Sequence, residues 1–203
     1  MFLILLDVAK EKEKPLEDLY GGMPMKYAQI RTMDISNGEN IGVSLFVQGC
    51  HFKCKNCFNS EAWDFNGGKE WTQEVKNEFL KLIDKPYITR VSILGGEPLA
   101  DENVDAVLDL VNTIKDLFPN KSIWLYTGYK WEDATLEFGE ICHSHNYKRF
   151  NKHVIVEHCD VLVDGQYVDE LRDLNLKFRG SSNQRLINVQ KSLEKNEVVL
   201  WSE

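Results

Sequence analysis

The chain of 203 residues lacks a hydrophobic run long enough to span a bilayer. Its N-terminal apolar stretch, Phe2-Leu3-Ile4-Leu5-Leu6, is short, and charged residues follow it without a small-residue cleavage site. A membrane partner and a secretory signal are therefore not expected. Positive charge is also scarce. Lys and Arg number 24 against 32 Asp and Glu, a formal net charge of -8. A chain of that sign is not expected to take nucleic acid as its partner. Lys148, Arg149, Lys152 and His153 make a short basic cluster, which reads as a solvated face. An even, evenly spread set of cysteines is missing too. The five are Cys50, Cys54, Cys57, Cys142 and Cys159, and three of them crowd together. This is no secreted disulfide scaffold, and a reducing cytoplasm fits better. Internal repeats and low-complexity tracts are absent.

What is present suits one globular domain of ordinary size. Residues 1–24 stand apart. Charges alternate from Lys10 to Lys14, Pro15 interrupts, and Gly21-Gly22 reads as a joint. This stretch is an N-terminal extension, or else Met25 is the true start. Residues 25–203 then form a single domain.

Short apolar runs alternate with amphipathic stretches from Tyr27 onward. Val43 to Val47 reads as a buried strand. Thr72 caps a helix whose Val75, Phe79, Leu82 and Ile83 share a face. Arg90 to Leu94 is a second strand, ended by Gly95 and Gly96. Asn103 is placed to cap a longer helix, which Phe118-Pro119-Asn120 stops. Ser122 to Tyr126 is a third strand, and a helix starts near Trp131. Val154 to Val156 and Asp160 to Val163 read as further strand material. Asp160 and Asp164, four apart on one strand, share a face and are expected to hold lysine, arginine or substrate. The alternation predicts an α/β fold with a mainly parallel sheet. The strands are too few for a closed eight-stranded barrel, so an open or partial one is expected. Cys50, Gly95, Thr127 and Asp164 each follow or end a strand and are expected along one rim, where ligands of such sheets bind.

Cys50-His51-Phe52-Lys53-Cys54-Lys55-Asn56-Cys57 carries the chemistry. Three cysteines in one polar loop, flanked by lysines, are not core packing. Three thiolates suit a soft metal centre. Structural zinc needs a fourth ligand, for which His51 is adjacent to Cys50 in the backbone and the distant Cys142, His143, His145, His158 or Cys159 would serve better. A closed iron–sulfur electron carrier needs a fourth thiolate. A [4Fe–4S] cluster with one open iron needs only three.

The Cys50-x-x-x-Cys54-x-x-Cys57 spacing resembles the signature of the radical S-adenosylmethionine superfamily. The resemblance implies that the cosubstrate's amine and carboxylate chelate the fourth iron. One electron then cleaves its sulfonium to a 5′-deoxyadenosyl radical. Relatives often carry an aromatic residue where this chain has Asn56, whose backbone is then expected near adenine. Gly95-Gly96-Glu97-Pro98 resembles the superfamily's GGEP turn, implying backbone contacts to the cosubstrate ammonium, with Glu97 adding charge. Thr127 and Gly128, within Leu125-Tyr126-Thr127-Gly128-Tyr129, are then expected on the adenosyl side.

Taken in order with Asp34 to Asn40, Trp63 to Gly68, Asp160 to Gly165 and Phe178 to Arg185, these segments resemble the family that activates anaerobic ribonucleoside-triphosphate reductase. The likeness runs from Met25 to Trp201. It implies a partial β/α barrel of the radical S-adenosylmethionine type. It also implies the reductase large subunit as partner and flavodoxin or a similar low-potential electron donor. No catalytic base is required. Residues 137–158 fit the family pattern least, and Cys142, His143, His145, His158 and Cys159 receive no role. Two other readings stand beside it. One is a radical enzyme acting on another glycyl-radical enzyme, such as pyruvate formate-lyase, or on a small molecule. The other is a non-enzymatic zinc-binding interaction module.

Overall fold

The computed structural model describes residues 25–136 and 146–202. Cys142, His143 and His145 lie outside those residues. The strands are β1 (Lys26–Asp34), β2 (Gly42–Val47), β3 (Lys69–Glu70), β4 (Arg90–Gly95), β5 (Ser122–Tyr126), β6 (Val161–Asp164) and β7 (Arg185–Asn188). They form one open sheet in the order β3-β1-β2-β4-β5-β6-β7. The helices are α1 (Gln73–Ile83), α2 (Val104–Leu117), α3 (Trp131–Ala134), α4 (Tyr147–Glu157) and α5 (Val189–Lys195).

The sheet is mixed. Its centre, β2-β4-β5-β6, is parallel. On the flanks β1 meets β2, β3 meets β1 and β7 meets β6 in antiparallel fashion. The expected parallel character is thus confined to four strands. Parallel neighbours require crossover connections, and helices supply them here; the short turn from β1 to β2 permits only a reversal.

Two corrections follow from the same constraint. Val154 to Val156 are helical, not strand. The β5-to-β6 crossover needs an element there, and α4 provides it, capped by the Asn146 side chain accepting from Lys148 N and Arg149 N. Strand β1 is also new. Its residues are mostly half-buried or exposed, so its sequence carries no clean alternation. Its pairing with β2 breaks register twice, between Tyr27 and Gln29 and between Arg31 and Asp34.

One sheet face packs under the helices. Leu45, Ile93, Ile123 and Leu125 meet Phe79 and Ile83 of α1 and Val107, Leu110, Val111 and Ile114 of α2 in one fully buried cluster. Thr72 caps α1 as expected, its hydroxyl accepting from Val75 N at 3.3 Å. Buried Lys76 fastens α1 to α2 through Asp109 at 2.6 Å and Thr113 at 2.8 Å. The opposite face gathers Trp124, Val161, Val163 and Leu186. Trp124 meets Phe178 and Trp201 edge-on there. Residues 199–201 lie along the outer side of β7, with Asn188 N donating to Val199 O and Trp201 N to Leu186 O. Among the described residues no helix is long and apolar enough to cross a membrane.

Candidate metal centre

The carboxyl ends of the parallel strands lie side by side and are tied together through backbone. Gly96 N donates to Val47 O, Glu97 N to Gly49 O, and Thr127 N to Val163 O. The rim expected for Cys50, Gly95, Thr127 and Asp164 is therefore present. Asp164 sits on it but turns away. Its carboxylate takes Arg185 and, at 2.8 Å, Trp131 N. Asp160 accepts from Ile123 N at 2.8 Å and lies 3.4 Å from Lys115. Both acids thus hold the kinds of cation expected.

The cysteine loop leaves β2 at Gln48. This side chain is buried, and its amide donates to Asp64 O at 2.8 Å and Glu61 O at 3.2 Å, bracing the loop from within. Gly49 N donates to Ala62 O and Cys50 N to Trp63 O, which fixes where the first sulfur emerges. A turn closed by Cys57 N and Cys54 O sets the other two. Lys53 and Asn56 both take left-handed backbone, at φ 48° and 55°. All three cysteines are free thiols. Burial pushes the Cys50 thiol up, and burial followed by neighbouring Cys57 does the same for Cys54. Without a cation these groups stay protonated; a metal would reverse that.

Glu97 is buried and forms a second brace. Oε1 accepts from Leu99 N at 2.8 Å and from the Thr127 hydroxyl at 2.7 Å; Oε2 accepts from Gly128 N at 2.7 Å. Asn103 occupies the first position before α2 but makes no side-chain cap there. Its amide instead donates to Gln48 O at 3.0 Å and Glu97 O at 2.9 Å. The expected helix cap is in fact a strut between the cysteine loop and the GGEP turn.

These groups open into one cavity of about 600 Å³. Cys50, Cys54, Cys57, Gly95, Gly96, Glu97, Thr127 and Gly128 all line it. Asn56 does not; its side chain points to Asp169, 2.7 Å away. The cavity continues across the sheet to Arg31, Phe46, Tyr126, Arg179 and Gln184. Three of its lining residues carry a buried polar atom without a hydrogen-bond partner: Trp63 Nε1, Tyr126 OH and Arg179 Nε. Buried donors left this way are rare, and they are the groups a polar ligand in the cavity would satisfy.

Among the described residues no three His, Cys, Asp or Glu side chains are close enough to share one ion. A four-iron cluster does not ask for that, since each thiolate binds its own iron. The donor set fits such a cluster: three thiols, soft and free, beside a roomy polar cavity. His158 and Cys159 offer no zinc site. His158 Nδ1 lies 2.7 Å from Val154 O, and fully buried Cys159 donates to Ile155 O.

Sequence reasoning missed Gln48 and Phe52, and it read Asn103 only as a helix cap. A polar residue directly after a buried strand marks Gln48. Phe52 meets Tyr129 edge-on and covers Gly128, where a Cβ would lie 2.4 Å from its ring.

Residues 36–187 match the family described as a 4Fe-4S single cluster domain. The chain is similar to the anaerobic ribonucleoside-triphosphate reductase-activating protein of Vibrio cholerae, at 35% identity over 162 residues, covering 79% of this chain and 96% of that one. The protein of the same description from Enterobacteria phage T4 is 36% identical over 162 residues, 80% of this chain and 93% of its own. That of Escherichia coli K12 is 35% identical, with 79% and 96% covered.

Proposed function

The chain belongs to the family of anaerobic ribonucleoside-triphosphate reductase-activating proteins and carries its iron–sulfur cluster domain, and on that premise we propose that it installs a glycyl radical on the large subunit of such a reductase. The observation that carries this reading is the single cavity shared by three thiols, the GGEP turn and the Thr-Gly end of β5. Cys50, Cys54 and Cys57 would bind three irons of a [4Fe–4S] cluster and leave the fourth for the amine and carboxylate of S-adenosylmethionine. When bound, the reduced cluster supplies the electron that cleaves this cosubstrate to the 5′-deoxyadenosyl radical, which takes a hydrogen atom from the partner's glycine.

The chain's own residues bind and orient. Gly95 and Gly96 bring bare backbone to the cosubstrate ammonium. Glu97 holds Thr127 and Gly128 on the adenosyl side, and it adds negative potential there once a cationic ligand displaces the proton that burial favours. Asn56 contributes through its backbone. Tyr126 and Arg179 offer donors deeper in the cavity, suited to carbonyl or carboxylate oxygens. No residue is required as acid or base.

The open sheet serves as the partial β/α barrel of the radical S-adenosylmethionine type, with residues 25–203 as one domain and 1–24 as an extension. The electron comes from flavodoxin or a similar low-potential donor in the cytoplasm.

The test is an anaerobic assay of the reconstituted chain with dithionite, S-adenosylmethionine and the reductase. Both 5′-deoxyadenosine and a glycyl-radical signal on the reductase are expected. 5′-Deoxyadenosine without that signal, or a radical formed on pyruvate formate-lyase instead, would refute the assignment.

A further inference from the structure

Phe178 stands in left-handed backbone, at φ 58°. A bulky side chain rarely takes that region unless its surroundings impose it. Here two anchors do so. The Phe178 ring meets the buried Trp124 ring edge-on, with centroids 5.3 Å apart, and Trp124 is backed by Trp201 at 5.8 Å. A few residues on, the Gln184 side chain pins the backbone of the turn. Its Oε1 accepts from Gly180 N at 2.9 Å and from Ser181 N at 3.2 Å, and its Nε2 donates to Gly165 O at 3.0 Å. Arg179 lies between these anchors.

The turn thereby aims an open donor. Arg179 Nη1 donates to Gln184 O at 3.4 Å, but Nε is buried without a partner on a residue that lines the cavity. Tyr126 OH is buried and unpartnered on the same cavity, and the two groups do not bond each other. Strained backbone that presents an unused donor to a cavity marks a binding function. Two donors that do not meet suit a ligand with oxygens at intervals, and main chain carries a carbonyl at every residue. Exposed Phe58 and Leu174 line the cavity as well and offer the apolar contact that a protein segment makes.

We propose that Arg179 and Tyr126 take main-chain oxygens of the partner's glycine-bearing segment, and that Phe178 is a positioning residue that aims Arg179 at them. The proposal rests on the reading of this chain as an activator of the reductase. A glycine has no side chain to grip, so only main-chain groups can fix where it stands. Hydrogen abstraction needs that fixing, because the reacting atoms must be held in contact. Donors locked in place before the segment arrives leave less to be ordered when it binds.

The experiment is a steady-state assay of the reconstituted full chain with dithionite, counting the glycyl radical on the reductase by electron paramagnetic resonance. The KM for the reductase and the KM for S-adenosylmethionine are measured separately. Arg179→Met is expected to raise the reductase KM about tenfold, the effect of one lost charge-assisted hydrogen bond, and the cosubstrate KM by a smaller factor. Tyr126→Phe should act in the same direction. Phe178→Ala loses the contact with Trp124 and should raise the reductase KM too. Combined with Arg179→Met it should add nothing further, since both changes remove the same interaction. A larger rise in the cosubstrate KM than in the reductase KM, or no change in either, would overturn the subsite. Additive effects of Phe178→Ala and Arg179→Met would overturn the positioning role, and Phe178→Leu takes the place of Phe178→Ala should the latter fail to fold. A wild-type chain that forms 5′-deoxyadenosine but no glycyl radical on the reductase would instead sink the reading on which the proposal rests.

Discussion

Glu97 Oε1 accepts the Thr127 hydroxyl at 2.7 Å, so the turn after β4 and the end of β5 move as one unit. The buried carboxylate also takes Gly128 N and Leu99 N. Burial pushes its pKa up to about 7 from an ordinary 4.5, against the pull of those hydrogen bonds. Between these values the folded chain keeps a proton that the unfolded chain has lost. Stability from this group is therefore present below about 4.5 and falls as pH rises towards about 7, by about 3 kcal/mol in total. Glu97→Gln should lack that decline. Urea unfolding of the cluster-free chain across this range checks it: parallel pH profiles for wild type and variant would contradict the account.

Glycine at position 96 is a matter of backbone contact. A Cβ there would lie 2.4 Å from Gly49 O and 3.0 Å from Ala62 O, neither of which can swing aside. Gly96→Ala is expected to cost about 2 kcal/mol and to lower iron uptake on reconstitution. Gly128→Ala meets the Phe52 ring instead, which can rotate, so its cost should be smaller. Thermal unfolding of the two variants ranks them.

Tyr126 should trade stability for binding. Its hydroxyl is buried and unpartnered, so Tyr126→Phe removes a desolvated group without losing a bond. The expected change in the free chain is neutral to stabilising, by up to about 1 kcal/mol. Affinity for the cavity's ligand should drop in the same variant, measured as cosubstrate or partner binding by calorimetry. A destabilised chain with unchanged affinity for both would contradict the assignment.

Arg185 closes the end of β7 onto β6. It pairs with buried Asp164 and reaches Glu132 at 3.0 Å. Arg185→Ala leaves the Asp164 carboxylate buried with Trp131 N as its remaining donor. A loss of about 3 kcal/mol is expected. Arg185→Lys should recover only part of it, since one ammonium cannot serve two carboxylates in a planar fork. Chemical denaturation reports both.

Cysteines divide by location. Cys54→Ala should abolish 5′-deoxyadenosine formation and reduce bound iron. Cys159 is fully buried on the helical side of the sheet and donates to Ile155 O, so Cys159→Ala should keep its iron and lose only packing energy. Equal iron loss in the two variants would contradict this division.

The chemistry was legible because it is local: three cysteines in one loop and two glycines after one strand. The central strands were legible because burial on both faces leaves continuous apolar runs. Strand β1 was not, since its exposed outer residues carry no pattern. Val154 to Val156 misled because three β-branched residues look the same in a strand and on a helix, and the need for a crossover decides between them. Asn103 looked like a cap because caps are its commonest use. The Asn56–Asp169 contact was beyond local reading, as the two residues lie 113 positions apart.

The borders of the sheet limit how another protein can approach. Residues 199–201 seal the outer side of β7. At the other border β3 covers only Lys26 and Tyr27 of β1. The rest of β1 is broken by two register shifts and carries exposed Arg31, which denies an incoming strand a regular ladder. Sheet growth from chain to chain is thereby discouraged at both borders. A protein that reaches the cavity at the ends of the strands would therefore leave the pairing of the sheet intact.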